Sequence, residues 1–262
     1  IMKPKVNNLT YAKKVIIFTI NTILIMSASM VLNDIYDIEL DKINKPNRPL
    51  ITGEVSIKEA LLYSLFLLST SEYLSLKYLP INLQWVIHLS IIYINLYTPI
   101  FKKILVIKNL SCAFLVSSTL FFTGLATSNK ILSINKNFDL LIIACNTIFF
   151  GSWTNEILMD IRDYKGDKKN NLKTIPIFFG IHFSWIFSNM LMYSNLLFNT
   201  LILSHLYNKT IATIFIFIMI PQLIYLYKIK SEKYSDISIK KSVDYSNITL
   251  FLLLSYFCGL TQ

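Results

Sequence analysis

Long apolar runs separated by short polar connections dominate this chain. A helix needs about 20 largely apolar residues to cross the hydrocarbon core of a bilayer. Eight stretches meet or approach that length: 14–33, 59–79, 81–100, 109–128, 138–159, 175–204, 209–228 and 245–262. The 175–204 run is too long for one straight span, so its first residues are expected to belong to the preceding connection. The pattern predicts an all-α, polytopic transmembrane helical bundle with eight spans, forming a single membrane domain over residues 1–262. No secretory signal with a small-residue cleavage site and no low-complexity tail interrupts it.

Composition strengthens this reading. Hydrophobic residues make up 54% of the 262, and mean hydropathy is +0.53, well above soluble domains of this size. The formal net charge of +10 is unevenly spread. Alternating connections (34–58, 101–108, 160–174 and 228–244) hold 17 of the 25 Lys and Arg residues. By the positive-inside bias, that side is expected to face the cytoplasm or its organelle equivalent. The opposite connections hold only Lys77, Lys130, Lys136 and Lys209, but Lys3, Lys5, Lys13 and Lys14 before the first span run against the bias. Cys112, Cys145 and Cys258 all fall inside apolar runs without a CxxC pair or a neighbouring His, so they are expected to be buried free thiols. His88, His182 and His205 stand equally isolated, and no His/Cys metal site is expected.

The clustered acid lies in two connections on the basic side. The first cluster is Asn33-Asp34-Ile35-Tyr36-Asp37-Ile38-Glu39-Leu40-Asp41 and the second Asp160-Ile161-Arg162-Asp163-Tyr164-Lys165-Gly166-Asp167. In both, three aspartates stand at i, i+3 and i+7, which on a helix places the carboxylates along one face. Four predicted spans separate the clusters, so both are expected on the same side of the membrane. Two carboxylate ridges suit Mg²⁺, a hard cation that takes oxygen ligands and bridges carboxylates to phosphate oxygens. Ionisable groups near a bilayer are costly unless they serve a site or reach water. Arg48, Lys102, Lys103 and Arg162 lie near the clusters in sequence or topology and fit an anionic diphosphate partner. Taken one at a time, each lysine is equally well read as a positive-inside anchor.

At these residues the chain resembles the UbiA superfamily of intramembrane prenyltransferases. The family's NDxxDxxxD motif matches Asn33, Asp34, Asp37 and Asp41, and its DxxDxxxD motif matches Asp160, Asp163 and Asp167. The stretch NKPNRPLITGEVSIKEAL, the Tyr97 and Lys102 pair followed by Asn109, and TIPIFFG after the second motif add to the likeness. Within the superfamily, NDIYDIELDKINKPNRPL and EILMDIRDYKGD look most like the geranylgeranylglycerol-phosphate geranylgeranyltransferase branch.

The resemblance implies a central cavity opening laterally into the membrane and capped by two acidic loops. It implies Mg²⁺-dependent ionisation of an allylic prenyl diphosphate donor and attack by a hydrophobic lipid or aromatic acceptor within the bilayer, with no nucleic-acid partner. The six aspartates would be catalytic and, with Asn33, hold the metal. Asn33, Arg48, Lys102, Lys103 and Arg162 would contact the diphosphate. Tyr97 and Asn109 would orient the acceptor, although Tyr97 is also readable as an interfacial aromatic. The family carries one more span before the first motif. Only 32 residues precede Asn33 here, so the chain is expected to lack that helix.

Three other readings remain open at this point. A terpene cyclase of the same superfamily would ionise the donor without a separate acceptor, and a truncated homologue would be inactive. A polytopic transporter would favour polar residues and broken helices at mid-membrane, whereas the acids here sit at span ends.

Overall fold

The computed structural model describes residues 8–127 and 136–260; the side chains of residues 8–11, 103, 125–127 and 136 fall outside that description. Lys3, Lys5 and Lys130 of the charge pattern, and the ends of the 109–128 and 245–262 runs, therefore lie outside the described residues. Every regular element among the described residues is helical. The chain divides into two compact units.

The first unit holds Ile1–Lys103 and Phe121–Ile131. Its helices are α1 (Asn8–Tyr36), α2 (Ile38–Asn44), α3 (Pro49–Thr52), α4 (Ile57–Tyr78) and α5 (Ile81–Tyr97), followed by a 3₁₀ turn at Phe101–Lys103. Helix α6 (Ile107–Thr127) gives residues up to Leu120 to the second unit and those from Phe121 to the first. The second unit adds α7 (Lys136–Arg162), α8 (Tyr164–Lys169), α9 (Ile175–Phe179), α10 (Ile181–Leu206), α11 (Lys209–Ser231) and α12 (Asp236–Leu260).

Local sequence explains the boundaries. Ser56 accepts a hydrogen bond from the Glu59 amide while Glu59 reaches back to Ser56 N, a reciprocal cap that starts α4. Pro80 precedes α5, and the Asn208 side chain accepts from Ile211 N at the start of α11. Gly180, at φ +89°, separates α9 from α10 by adopting a conformation that residues with a Cβ rarely reach. This break resolves the overlong 175–204 run into a short helix and one long one.

Polarity is partitioned inside out. Leu62, Phe66, Leu197, Phe217 and Phe251 are exposed, whereas Ser64, Ser71, Asn195 and Asn199 are wholly buried. Such partition suits a lipid solvent, in which helices associate through close packing and polar contacts. Helices α1, α10, α11 and α12 are each long and apolar enough to cross a membrane, over Ala12–Tyr36, Ile181–Leu206, Lys209–Ser231 and Asp236–Leu260. The other long helices occupy the expected positions but differ in character. Helix α5 has only 17 residues, and α4 and α7 are diluted by polar residues such as Glu72, Asn146, Asn155 and Glu156.

The two units share a packing register that was not apparent from the apolar runs. Helix α4 buries Ala60, Ser64, Leu67, Leu68, Ser71 and Ser75, and α10 buries Ser184, Ser188, Leu191, Met192, Asn195 and Asn199 at the same spacing. Small or short polar residues on such a stripe let helices approach closely and join by hydrogen bonds. In the first unit the Ser71 hydroxyl donates to Asn21 Oδ1 at 2.7 Å, tying α4 to α1. In the second, Asn199 Nδ2 donates to Thr147 Oγ1 at 3.0 Å, tying α10 to α7. Replacing Asn21 with Ala leaves the buried Ser71 hydroxyl without this acceptor. It is expected to cost about 1 kcal/mol of stability, measurable as a lower denaturant midpoint in detergent.

The cysteines and histidines depart from expectation. Only Cys145 of the three is buried; Cys112 is half-buried, and Cys258, on the outward face of the last turns of α12, is exposed. Two of the histidines have partners. His88 Nδ1 lies 3.0 Å from Glu72 Oε1, and His182 Nδ1 lies 2.9 Å from the Tyr234 hydroxyl.

Candidate functional site

Each aspartate cluster straddles a helix break rather than lying in a loop or on one uninterrupted helix. Asp34 closes α1, Asp37 occupies the break, and Asp41 lies in α2. Asp160 closes α7, Asp163 occupies the break, and Asp167 lies in α8. The middle aspartates adopt nearly the same backbone: φ −95° and ψ 10° at Asp37, φ −86° and ψ 5° at Asp163. Hydrogen bonding continues through both breaks. Asp37 N donates to Asn33 O and Asp41 N to Asp37 O at 2.9 and 2.7 Å; Asp163 N donates to Met159 O and Asp167 N to Asp163 O at 2.9 and 3.0 Å. The i, i+3, i+7 register therefore survives while the axis is free to bend. The expectation of acidic loops is corrected to helix ends.

Cationic side chains converge on the first cluster. Helix α2 ends as Lys45 N donates to Asp41 O, and Asn44-Lys45-Pro46-Asn47 turns the chain back. Arg48, extended at φ −70° and ψ 143° as expected before Pro49, then pairs with both Asp34 and Asp41. Asp41 is only 2% exposed, so this guanidinium supplies its counter-charge inside the fold. Lys102, in the 3₁₀ turn, pairs with Asp37 and donates to Asn33 Oδ1 at 2.9 Å. Asn33 Nδ2 donates to Asp37 at 2.9 Å, so the asparagine bridges the lysine and the aspartate. The Lys103 side chain lies outside the described residues. Tyr97 is buried at the end of α5.

In the second cluster, Asp160 is 3% exposed, paired with Lys108 through one oxygen and accepting from Asn109 Nδ2 at 2.8 Å through the other. Arg162 Nε lies 3.1 Å from Asp163 Oδ1. Asp167 is buried in α8. The sequence singled out Arg48, Lys102, Arg162 and Asn109, and each touches an aspartate of its own unit. It passed over Lys108, one residue before Asn109, whose only sequence signal is a charge at the mouth of an apolar run.

The carboxylates, with the Asn33 amide oxygen, form an oxygen donor set of the kind a hard divalent cation takes. Among the described residues no three His, Cys, Asp or Glu side chains converge as a ready metal cage. Arg48, Lys102 and Lys108 instead occupy carboxylate oxygens of Asp34, Asp41, Asp37 and Asp160. The donors fit Mg²⁺ by chemistry.

Long helices with apolar outer faces, carrying an aspartate cluster at a helix break in each unit, are those of an integral membrane protein. The chain belongs to the UbiA prenyltransferase family, whose model matches residues 5–252. It is 32% identical over 192 residues to digeranylgeranylglyceryl phosphate synthase of Methanococcus maripaludis strain C5, covering 73% of this chain and 63% of the relative. The enzyme of that name from Saccharolobus solfataricus is 32% identical over 202 residues, covering 76% and 68%. The fold is also similar to the solved structure of a UbiA homologue from Archaeoglobus fulgidus bound to GPP and Mg²⁺. That match has a TM-score of 0.66 and 22% identity, over 94% of this chain and 88% of that one. The matched part of the chain thus spans under two thirds of the Methanococcus relative's length.

Proposed function

We propose that this protein is an Mg²⁺-dependent prenyltransferase that moves a prenyl group from an allylic isoprenoid diphosphate to a hydrophobic lipid or aromatic acceptor within the membrane. The observation that carries this reading is the repeated helix break, with three aspartates in one register and a basic side chain on each cluster. A UbiA homologue bound to GPP and Mg²⁺ supports the donor and metal assignments. The relatives named digeranylgeranylglyceryl phosphate synthase support a lipid acceptor.

In this reading the bond between the prenyl C1 and the diphosphate oxygen breaks, and its electron pair leaves with the diphosphate. The acceptor nucleophile then bonds to C1 and gives up a proton. Asn33, Asp34, Asp37, Asp41, Asp160, Asp163 and Asp167 would hold Mg²⁺, which would supply positive charge to the departing diphosphate. Arg48, Lys102, Lys103 and Arg162 add to that charge. Lys108 positions Asp160. Asn109 has its amide nitrogen committed to Asp160, which leaves Oδ1 to orient an acceptor, the role also assigned to Tyr97. The prenyl tail lies among apolar and aromatic side chains that exclude water from the cation. All eight long helices act as spans, with the basic connections on the cytoplasmic or equivalent side.

The test is a product assay in membranes with Mg²⁺, geranyl and geranylgeranyl diphosphates, and a panel of lipid and aromatic acceptors. Acceptor-dependent diphosphate release that stops when Mg²⁺ is chelated is expected. A cyclic product from the prenyl diphosphate alone would overturn transfer in favour of cyclisation.

A further inference from the structure

Within the second unit a partly open cavity of about 140 Å³ is bounded by α6, α7, α10, α11 and α12. It includes none of the six aspartates and no charged side chain. Gly151, Asn195, Gln222 and Thr249 line it, each near the middle of its helix. Polar groups at mid-helix in a membrane protein are costly and tend to mark ligand sites.

The hydrogen bonds show what the cavity offers. Asn155 Nδ2 and Gln222 Nε2 both donate to Ser246 Oγ, at 3.1 and 3.0 Å. Their amide oxygens are thus left as acceptors, and a serine oxygen that already accepts twice acts toward any further group as a donor. Asn195 is wholly buried; its Oδ1 accepts from Asn199 at 2.6 Å, while its Nδ2 has no partner among the described residues. A buried amide donor without an acceptor is rare in a native fold and calls for a ligand or ordered water. Donors and acceptors set side by side, with no charge, match a hydroxyl group better than a phosphate or carboxylate.

Part of the lining is apolar. The space is large enough for several waters, each needing two to four polar partners. Val116, Ile148, Leu250 and Leu253 deny such waters partners on their sides of the cavity. On Gly151 an added Cβ would meet nothing within 4 Å, so the space is open beside α7.

We propose that this cavity binds the head of a neutral amphiphile through one or two hydroxyl groups, held by Asn195, Ser246, Asn155 and Gln222, with the first carbons of its hydrocarbon against the apolar lining and the rest passing out beside the exposed Val116 and Asn247. The site is separate from the aspartate clusters, and its test reads binding rather than prenyl transfer.

The purified full chain in nanodiscs is titrated with 1-O-dodecylglycerol, following thermal stability and direct binding. Free glycerol, dodecane and dodecyl phosphate serve as the other arms. A saturable rise in Tm with dodecylglycerol alone is expected. Gly151→Leu replaces a mid-helix glycine with a better helix former and fills the open space; it should keep the ligand-free Tm and weaken binding at least about tenfold, roughly 1.4 kcal/mol. Asn195→Ala should weaken it about fivefold while leaving dodecane inert. The proposal is overturned if dodecylglycerol gives no saturable effect, if Gly151→Leu binds it as well as the parent does, if glycerol or dodecane matches it mole for mole, or if dodecyl phosphate competes equally.

Discussion

Asp37→Ala and Asp163→Ala are each expected to lower prenyl transfer by at least about a hundredfold, the loss typical when a group stabilising transition-state charge is removed. Membrane insertion should stay close to that of the parent in both variants, and thermal stability in Asp163→Ala; Asp37→Ala removes the charge partner of Lys102, which is 16% exposed, and should lose some stability. Both residues occupy helix breaks, make no side-chain cap, and have side chains 14% and 26% exposed. Their removal therefore leaves no large cavity and no capless helix. Lys102 loses one partner but keeps the Asn33 amide oxygen. Asp37→Asn sharpens the comparison, since it retains hydrogen-bonding capacity while discarding the charge. If the carboxylate serves the metal and diphosphate, Asp37→Asn should be nearly as inactive as Asp37→Ala. Retention of more than about a tenth of parental turnover by the alanine variants would remove these residues from the metal assignment.

The parts of this molecule that were legible in sequence are those written as long-period patterns. Apolar runs placed most of the long helices to within a few residues, although α1 and α12 begin six and nine residues before their runs because their first turns are polar, and the i, i+3, i+7 spacing marked both clusters. The break at each middle aspartate was not legible, because Ile-Tyr-Asp and Arg-Asp-Tyr contain no glycine or proline and continuous helix is the simplest reading. Lys108 was missed because its importance lies in burial against Asp160, 52 residues away. The polar residues at mid-helix escaped notice for a related reason. Asn146, Asn155, Asn195, Asn199 and Gln222 sit singly among apolar neighbours, so averaging over a span conceals them. Only packing shows that several of them join in networks across helices. They weaken one sequence-based contrast, since mid-membrane polarity had been expected of a transporter, yet the chain belongs to an enzyme-type family.

The pair formed by Lys108 and Asp160 separates structural from chemical roles in the second cluster. Its side chains are 18% and 4% exposed, and Asn109 is the other group hydrogen-bonded to Asp160 among the described residues. Removing one partner of a buried pair typically costs about 3–5 kcal/mol, because the remaining charge has neither water nor a counter-ion. Lys108→Met should lower stability on that scale, and Asp160→Asn by less, because Lys108 keeps the nearby charges of Asp167 and Glu156. Lys108→Met with Asp160→Asn removes both charges while preserving volume and the hydrogen-bonding side chain beside Asn109. Much of the lost stability should return, with the double variant within about 1 kcal/mol of the parent. Activity should not return with it if, as proposed, Asp160 is a metal ligand, because a neutral amide at position 160 cannot replace a carboxylate in that role. Recovery of both stability and turnover would mean that Asp160 serves only to neutralise a buried lysine. The second cluster's chemistry would then rest on Asp163 and Asp167, and the matched triplets would share a fold device without sharing a function.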